Sequence, residues 1–241
     1  MKILVLGDSD SAGRHTDGAP WPELLRQSLE ASPGTTVTIE SAAFSPVSPN
    51  GGGYCERKAR GAQAGGAVLL LASFPFVAGF VWLRVERLFG KRAGRWYKKL
   101  EDGFDSGTKG RGQGRDTLNR LAPKTIPRLV GRMPYASRQT VTANYQDAFR
   151  ALSRLEDVEV VLFGYPGMSE AANRGKAPAE RKRFFADMRE AARAHHFRWV
   201  DGMELFSGIE RDDVMADPFH FNARGHGIIA RAVEEALNQS A

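Results

Sequence analysis

The sequence contains very little cysteine. Cys55 is the one cysteine among 241 residues, which excludes an intramolecular disulfide. No motif around Cys55 indicates an activated thiol, so we interpret it as a packing or surface residue rather than a nucleophile.

A secretion signal is also lacking. Met1 and Lys2 are followed by the short apolar run 3–6, which is too short for the hydrophobic region of a signal peptide. The run leads directly into the polar segment 7–9. We therefore expect a cytoplasmic protein.

Long hydrophobic runs are rare. The one that approaches transmembrane length covers residues 67–83, and Pro75 and Gly79 interrupt it. Fully buried parallel strands also give continuous apolar runs. We interpret the first part of this run as a buried strand and keep a membrane span as the alternative.

Positive charge is concentrated in one segment. The chain carries a net charge of +6, whereas residues 84–132 contain fourteen Lys or Arg and five Asp or Glu, a local net of +9. No RNP, zinc-binding or helix-turn-helix pattern accompanies this charge, so we expect no nucleic-acid partner. Its aromatic and cationic residues alternate in a way that fits an anionic membrane surface, or a helix that covers a cleft and keeps its cations in water.

Short apolar runs alternate with helical periodicity along the chain. The predicted strands are Lys2–Gly7, Thr36–Ser41, Ala67–Ser73, Val158–Gly164 and Phe197–Asp201. The predicted helices are Trp21–Ala31, Gln139–Leu155, Ala179–His196 and Asn222–Asn238.

This alternation predicts an α/β fold with a parallel sheet covered by helices on both faces. We expect a single domain over residues 1–241, with a basic insert at about 75–135 that forms a lid, a binding flap or a partly disordered segment.

Two polar segments stand where a parallel sheet positions functional groups, at the carboxyl ends of strands. The first is Gly7-Asp8-Ser9-Asp10-Ser11-Ala12-Gly13, after the first predicted strand. The second is Asp217-Pro218-Phe219-His220-Phe221-Asn222-Ala223-Arg224-Gly225, before the last helix. Together they resemble the first and last motif blocks of the SGNH (GDSL) hydrolases, GDS-x-x-x-G and D-x-x-H.

The resemblance implies a flavodoxin-like three-layer sandwich with about five strands in the order 2-1-3-4-5. It also implies a serine ester hydrolase, an esterase, lipase or deacetylase, that needs no metal or organic cofactor. Ser9 would be the nucleophile, His220 its base, and Asp217 the group that orients His220. Asp8 and Gly13 would support the turn, and Asn222 would cap the last helix.

The expected oxyanion hole departs from the family pattern. No glycine follows the second strand, and Phe74 stands where the family has an asparagine. The candidate donors are the amides of Ser9 and Ala43 and the side chain of Ser73. Asn50 is a further substitute.

Other interpretations remain open. The segment 4–11 also resembles the opening of haloacid-dehalogenase-like phosphatases, with Asp8 as nucleophile, Asp10 as acid/base, and Mg²⁺ held by Asp212, Asp213 and Asp217. The altered oxyanion positions are compatible with a catalytically weak binding protein. The remaining histidines, which are His15, His195, His196 and His226, have no comparable partner and are interpreted as having no catalytic role.

Overall fold

A computed structural model provides the structure of the protein. It describes residues 1–7, 11–13, 16–47, 51–62, 66–74, 81–105, 136–166, 177–216 and 220–239, with the backbone alone at 62, 81–83 and 99–105.

The centre of the fold is a parallel sheet of five strands. The strands are β1 (Lys2–Gly7), β2 (Thr38–Ala43), β3 (Gly66–Ser73), β4 (Val158–Tyr165) and β5 (Arg198–Val200). Their spatial order is β2-β1-β3-β4-β5, and every neighbouring pair is parallel. The predicted fold class and strand order are therefore confirmed.

Nine helices connect or follow these strands in the described part of the chain. They are α1 (Trp21–Glu30), α2 (Gly51–Ala62), α3 (Val81–Phe89), α4 (Lys91–Asp105), α5 (Arg138–Leu152), α6 (Ala177–Ala194), α7 (Gly202–Leu205), α8 (Arg211–Val214) and α9 (Ala223–Asn238).

Two apolar layers sandwich the sheet, because successive side chains of a strand point to opposite faces. On β3, Leu69 and Leu71 join the layer formed with α1 and α9. Leu70 and Phe74 join the opposite layer, formed with α2, α5 and α6. The near-continuous apolar sequence of β3 follows from burial on both faces.

The bounds of β2 and β5 differ from the predicted ones. The amide of Thr38 donates to the carbonyl of Met1 at 3.0 Å, so the β1–β2 ladder begins two residues later than predicted. At the other edge of the sheet, Asp201 is not in β5. Its side chain accepts hydrogen bonds from the amides of Met203 and Glu204 and caps α7.

The predicted insert contains more regular structure than expected. We expected an irregular segment at 75–135, whereas α3 and α4 form a helical hairpin within it. Of the run 67–83, residues 67–73 belong to β3 and residues 81–83 to α3, whereas 75–80 lie outside the described residues. No helix among the described residues is long and apolar enough to cross a membrane.

Candidate active site

The first motif begins at the centre of the sheet. β1 ends at Gly7, between Ala43 at the end of β2 and Leu71 of β3. The connection after β1 leads to β2 on one side, and β3 lies on the other, so this is the point where the strand order reverses. In open parallel sheets, ligands bind at the carboxyl edge at such a point.

Residue 11 lies close to the end of β1. A Cβ built on Gly7 would lie 1.9 Å from Oγ of Ser11, so a side chain at position 7 would collide with the returning segment. Ser11 is buried, and its Oγ has no hydrogen-bond partner among the described residues. Gly13 has a φ of +68°, a conformation that glycine adopts without strain. Both glycines of the first motif therefore stand at positions where a larger residue would be strained.

Backbone hydrogen bonds close the loop that carries the second motif. Met215 and Phe221 form an antiparallel bridge. The amide of Ala216 donates to the carbonyl of His220 at 2.9 Å, and the amide of Asn222 donates to the carbonyl of Val214 at 3.0 Å. His220, which is half-buried, therefore lies at the end of a loop whose two ends are joined by hydrogen bonds.

Asn222 joins this loop to the last helix. Its Oδ1 accepts from the amide of Gly225 at 3.1 Å, which confirms the predicted cap of α9. Its Nδ2 donates to the carbonyl of Asp213 at 3.1 Å, on the opposite side of the loop. A Cβ on Gly225 would lie 2.4 Å from the carbonyl oxygen of Val214, so this position accepts no side chain.

An aromatic cluster packs against the same loop. Phe221 is fully buried and stacks on Phe206 with ring centroids 4.8 Å apart. It also meets Tyr165, at the end of β4, edge to face at 5.4 Å. Packing of this kind fixes the residue next to His220 to the carboxyl edge of the sheet.

The segments that follow the two motifs contact one another. Gly18 lies against Ala223, with 3.3 Å between a Cβ built on Gly18 and Cβ of Ala223. The amide of Trp21, at the start of α1, donates to Nδ1 of His226 at 3.3 Å. The segments next to the two motif blocks, which lie at opposite ends of the sequence, are thus in contact on the α1–α9 side of the sheet.

His226 has a structural role that the sequence interpretation missed. Its side chain is fully buried, and burial together with the charge of His220 lowers the pKa of His226 to about 4. It is therefore neutral at neutral pH, with Nδ1 as the acceptor for Trp21. A signal was present in the sequence, because His226, Ile229, Ala230 and Val233 follow the spacing of a buried helix face.

Ser73 lies at the carboxyl end of β3, where a third oxyanion donor was sought. Its amide donates to Oη of Tyr145 at 2.9 Å, and that hydroxyl donates to the carbonyl of Leu71 at 2.8 Å. By strand alternation its side chain lies on the α1–α9 side with that of Leu71. The amide of Ser73 is therefore engaged, and its hydroxyl is on the same side of the sheet as the motif segments.

Phe74 belongs to the opposite layer. It is fully buried, and its ring lies 6.1 Å from that of Phe184 and 6.3 Å from that of Phe185. Its amide donates to the carbonyl of Tyr165 at 3.4 Å. A side chain in this position contributes packing to the core and no hydrogen-bond donor.

The amide of Ala43 points away from β1. Thr38 is the first residue of β2 and Phe44 follows its last, and their amides donate to the carbonyls of Met1 and Gly7 respectively, on the β1 side. Successive amides of a strand alternate in direction, so the amide of Ala43 faces the free edge of the sheet. This orientation argues against Ala43 as an oxyanion donor.

Several predicted site residues lie outside the part of the chain that the structure describes. They are Asp8, Ser9, Asp10, His15, Asn50 and Asp217. Of the remaining histidines, His195 stacks on Phe197 at 5.5 Å, and His196 has a φ of +58° at the end of α6.

The acidic residues of the phosphatase interpretation lie on a short helix. Asp212 and Asp213 belong to α8, where Asp213 pairs with Arg224 at 3.2 Å and Asp212 with Arg211 at 3.7 Å. Within the described residues, no three His, Cys, Asp or Glu side chains are grouped so as to hold a metal ion.

Neither a protein-family model nor a curated protein sequence matches the chain. Solved structures do. The acetyl xylan esterase AlAXEase is 14% identical, with a TM-score of 0.60 over 98% of this chain and 100% of that one. A lipase/acylhydrolase from Enterococcus faecalis is also 14% identical, with a TM-score of 0.59 over 99% and 96%.

A member of the lipolytic G-D-S-L family from Veillonella parvula is 15% identical, with a TM-score of 0.55 over 99% of each chain. The chain therefore has the SGNH (GDSL) hydrolase fold, as its two motif blocks predicted. At this level of identity the likeness concerns the fold.

Proposed function

We propose that this protein is a serine ester hydrolase in which Ser9, His220 and Asp217 form the catalytic triad. The observation that carries the proposal is the contact between the segments next to the two motifs, made by Gly18 with Ala223 and by Trp21 with His226. It supports a site at the strand-order reversal, which is where the fold offers one. The esterase and lipase structures that share the fold support the same reaction class.

The proposed reaction proceeds through an acyl-enzyme. Oγ of Ser9 attacks the ester carbonyl carbon while His220 accepts the hydroxyl proton, and Asp217 stabilises the resulting imidazolium. Collapse of the tetrahedral intermediate breaks the bond to the alcohol, which receives the proton from His220. His220 then deprotonates a water that attacks the acyl-serine, and the acid and free Ser9 are released.

The negative oxygen of the intermediate needs hydrogen-bond donors. The amide of Ser9 is one in this proposal. The hydroxyl of Ser73 is the second, since it shares the α1–α9 side of the sheet whereas Ala43 and Phe74 do not contribute. Loss of one such donor costs about 10²–10³ in rate, so Ser73→Ala is expected to lower kcat by that factor with an unchanged fold.

The proposed reaction also indicates a class of substrate. We propose a small-molecule or lipid-like ester, with no metal ion in the reaction. Hydrolysis of p-nitrophenyl acetate, butyrate and octanoate would determine which acyl length is preferred. A preference for octanoate would favour a lipid-like ester, and a preference for acetate would favour a deacetylase.

Labelling with a fluorophosphonate, measured by intact mass in the presence of EDTA, tests the nucleophile directly. The wild type should gain one adduct, and Ser9→Ala should gain none and lose at least about 10³-fold in ester hydrolysis. Ser11→Ala is the matched control, because Ser11 belongs to the same motif and its hydroxyl has no partner among the described residues. It should still be labelled.

The alternatives predict different results. A haloacid-dehalogenase-like phosphatase would hydrolyse p-nitrophenyl phosphate with Mg²⁺ and lose that activity on Asp8→Asn. A catalytically weak binding protein would show no adduct and no turnover of any ester. Labelling of Ser9→Ala at the wild-type rate would refute the triad.

A further inference from the structure

The insert between β3 and α5 contains a tight helical hairpin. α3 ends at Phe89, and the single residue Gly90 connects it to α4. Gly90 has a φ of +86°, and its amide donates to the carbonyl of Glu86 at 2.8 Å. This is the left-handed glycine that commonly ends a helix. It lets the chain reverse within one residue.

The two helices are in close contact near this turn. A Cβ built on Gly94 would lie 2.4 Å from Cβ of Glu86 and 2.9 Å from its Cα, so α4 approaches α3 as only glycine permits. Val85 on α3 and Tyr97 on α4 are buried. The two helices therefore form a defined pair.

Large apolar side chains are exposed at the turn. Leu88 is 48% exposed, Phe89 67% and Trp96 49%. Leu88 and Phe89 lie three and four residues after the buried Val85, so they are on the same face of α3. This face is buried at Val85 and exposed to solvent at Leu88 and Phe89. Outside the hairpin, the large hydrophobic side chains exposed among the described residues are Met1 and Met203.

The same hairpin is strongly cationic. Within residues 84–98 the positive side chains are Arg84, Arg87, Lys91, Arg92, Arg95 and Lys98, against one negative side chain, Glu86, which gives a net charge of +5. Lys91, Arg95 and Lys98 have the spacing of one helix face. Arg92 lies one turn before Trp96. Exposed aromatic residues are thus surrounded by cations.

We propose that the turn of the α3–α4 hairpin docks on an anionic phospholipid bilayer. Trp and Phe side chains enter the boundary between headgroups and acyl chains, and flanking cations pair with anionic headgroups. A duplex nucleic acid would match the charge but would leave Leu88 and Phe89 without an apolar environment. An anionic bilayer matches both the positive charge and the exposed apolar side chains. This inference does not depend on the proposed ester hydrolysis.

Flotation of the full chain with phospholipid vesicles tests the proposal. The protein should float with equimolar phosphatidylcholine/phosphatidylglycerol vesicles at about 0.1 M salt and remain unbound with phosphatidylcholine alone. The triple variant Leu88→Ser/Phe89→Ser/Trp96→Ser should bind at least about tenfold more weakly, because it removes the apolar contribution. Met203→Ser, a change at an exposed apolar residue on α7, should bind as the wild type does.

A charge pair gives a second, independent comparison. Arg92→Glu/Arg95→Glu should abolish binding to the anionic vesicles, and Arg231→Glu, at an exposed position of α9, should not. Circular dichroism of each variant checks the fold. Trp96→Phe should remove most of the blue shift in tryptophan emission that vesicles cause in the wild type.

Three results would overturn the proposal. The wild type could fail to float with anionic vesicles, the triple serine variant could float as well as the wild type, or the protein could bind a short DNA duplex more tightly than vesicles. The Ser9→Ala variant should float normally, so that loss of esterase activity and loss of docking are distinguished.

Discussion

Between pH 6.5 and about pH 4 the unfolded chain binds a proton at His226 that the folded chain does not. The His226 ring is fully buried, its Nδ1 accepts from the amide of Trp21, and burial lowers its pKa from 6.5 to about 4. Between these two pKa values the unfolded state carries more protons, so the free energy of unfolding must fall as the pH falls. The contribution is complete above pH 6.5 and is lost on the way down to pH 4.

The size of the effect follows from the shift. Each pKa unit corresponds to 1.36 kcal/mol, so the full loss is about 3 kcal/mol, of which about 2 kcal/mol falls between pH 7 and pH 4.5. His226→Asn removes the titration and keeps an acceptor near the position of Nδ1. Urea unfolding at the two pH values should therefore show a loss in this variant that is about 2 kcal/mol smaller than in the wild type.

The comparison cancels the carboxylates and other groups that titrate in the same range, because both proteins contain them. His196→Asn is the matched control, since His196 is exposed and has a φ of +58°, which asparagine tolerates. It should lose the same stability as the wild type. If His226→Asn also loses the same stability as the wild type between the two pH values, the structural reasoning about His226 is wrong.

Three further predictions concern packing and buried groups. Gly225→Ala should lower the free energy of unfolding by about 1–3 kcal/mol, because the new Cβ would meet the carbonyl of Val214. Gly227 has open space on the same helix, so Gly227→Ala should raise the free energy of unfolding by up to about 1 kcal/mol. Chemical denaturation measures both changes. Tyr145→Phe should cost about 1–3 kcal/mol, since the amide of Ser73 would lose its buried acceptor, and an unchanged denaturation midpoint would contradict that hydrogen bond. Cys55 should resist Ellman's reagent in the native protein and react in urea, because burial raises the pKa of its thiol to about 12; fast labelling of the native protein would contradict the burial.

Local sequence was most informative where a strand is buried on both faces or a cap is explicit. β1 matches its predicted bounds, because its apolar run ends abruptly in the polar turn after Gly7. The start of α9 was predictable from Asn222, whose side chain can cap only a helix that begins at the next residue. The order of the strands followed from the family resemblance of the two motifs and is confirmed.

Tertiary contacts decided the elements that the sequence interpretation missed. α2 begins with Gly51-Gly52-Gly53, a poor start for a helix by local propensity. A Cβ on Gly52 would lie 2.8 Å from the carbonyl oxygen of Asp147, so glycine is needed where α2 meets α5. Nothing in the local sequence reveals that requirement.

The candidate site also combines features that local sequence predicts with features that depend on tertiary contacts. Residue types and spacing were sufficient to select the two motif blocks, because triad chemistry requires particular residues. The oxyanion candidates were not decidable from spacing, since the direction of the Ala43 amide depends on the register of β2 against β1. The engagement of the Ser73 amide depends on Tyr145, which is 72 residues away in the chain.

The placement of the α3–α4 hairpin has an evolutionary consequence. The five strands and the helices of both core layers are supplied by residues before and after the insert, and the two hairpin helices meet each other at Gly94 and Glu86. The sequence of the hairpin, residues 84–98, can therefore change without removing any of the residues described in the two core layers. Natural variants of this chain are expected to gain or lose membrane affinity by exchanging this segment while the rest of the domain is inherited unchanged.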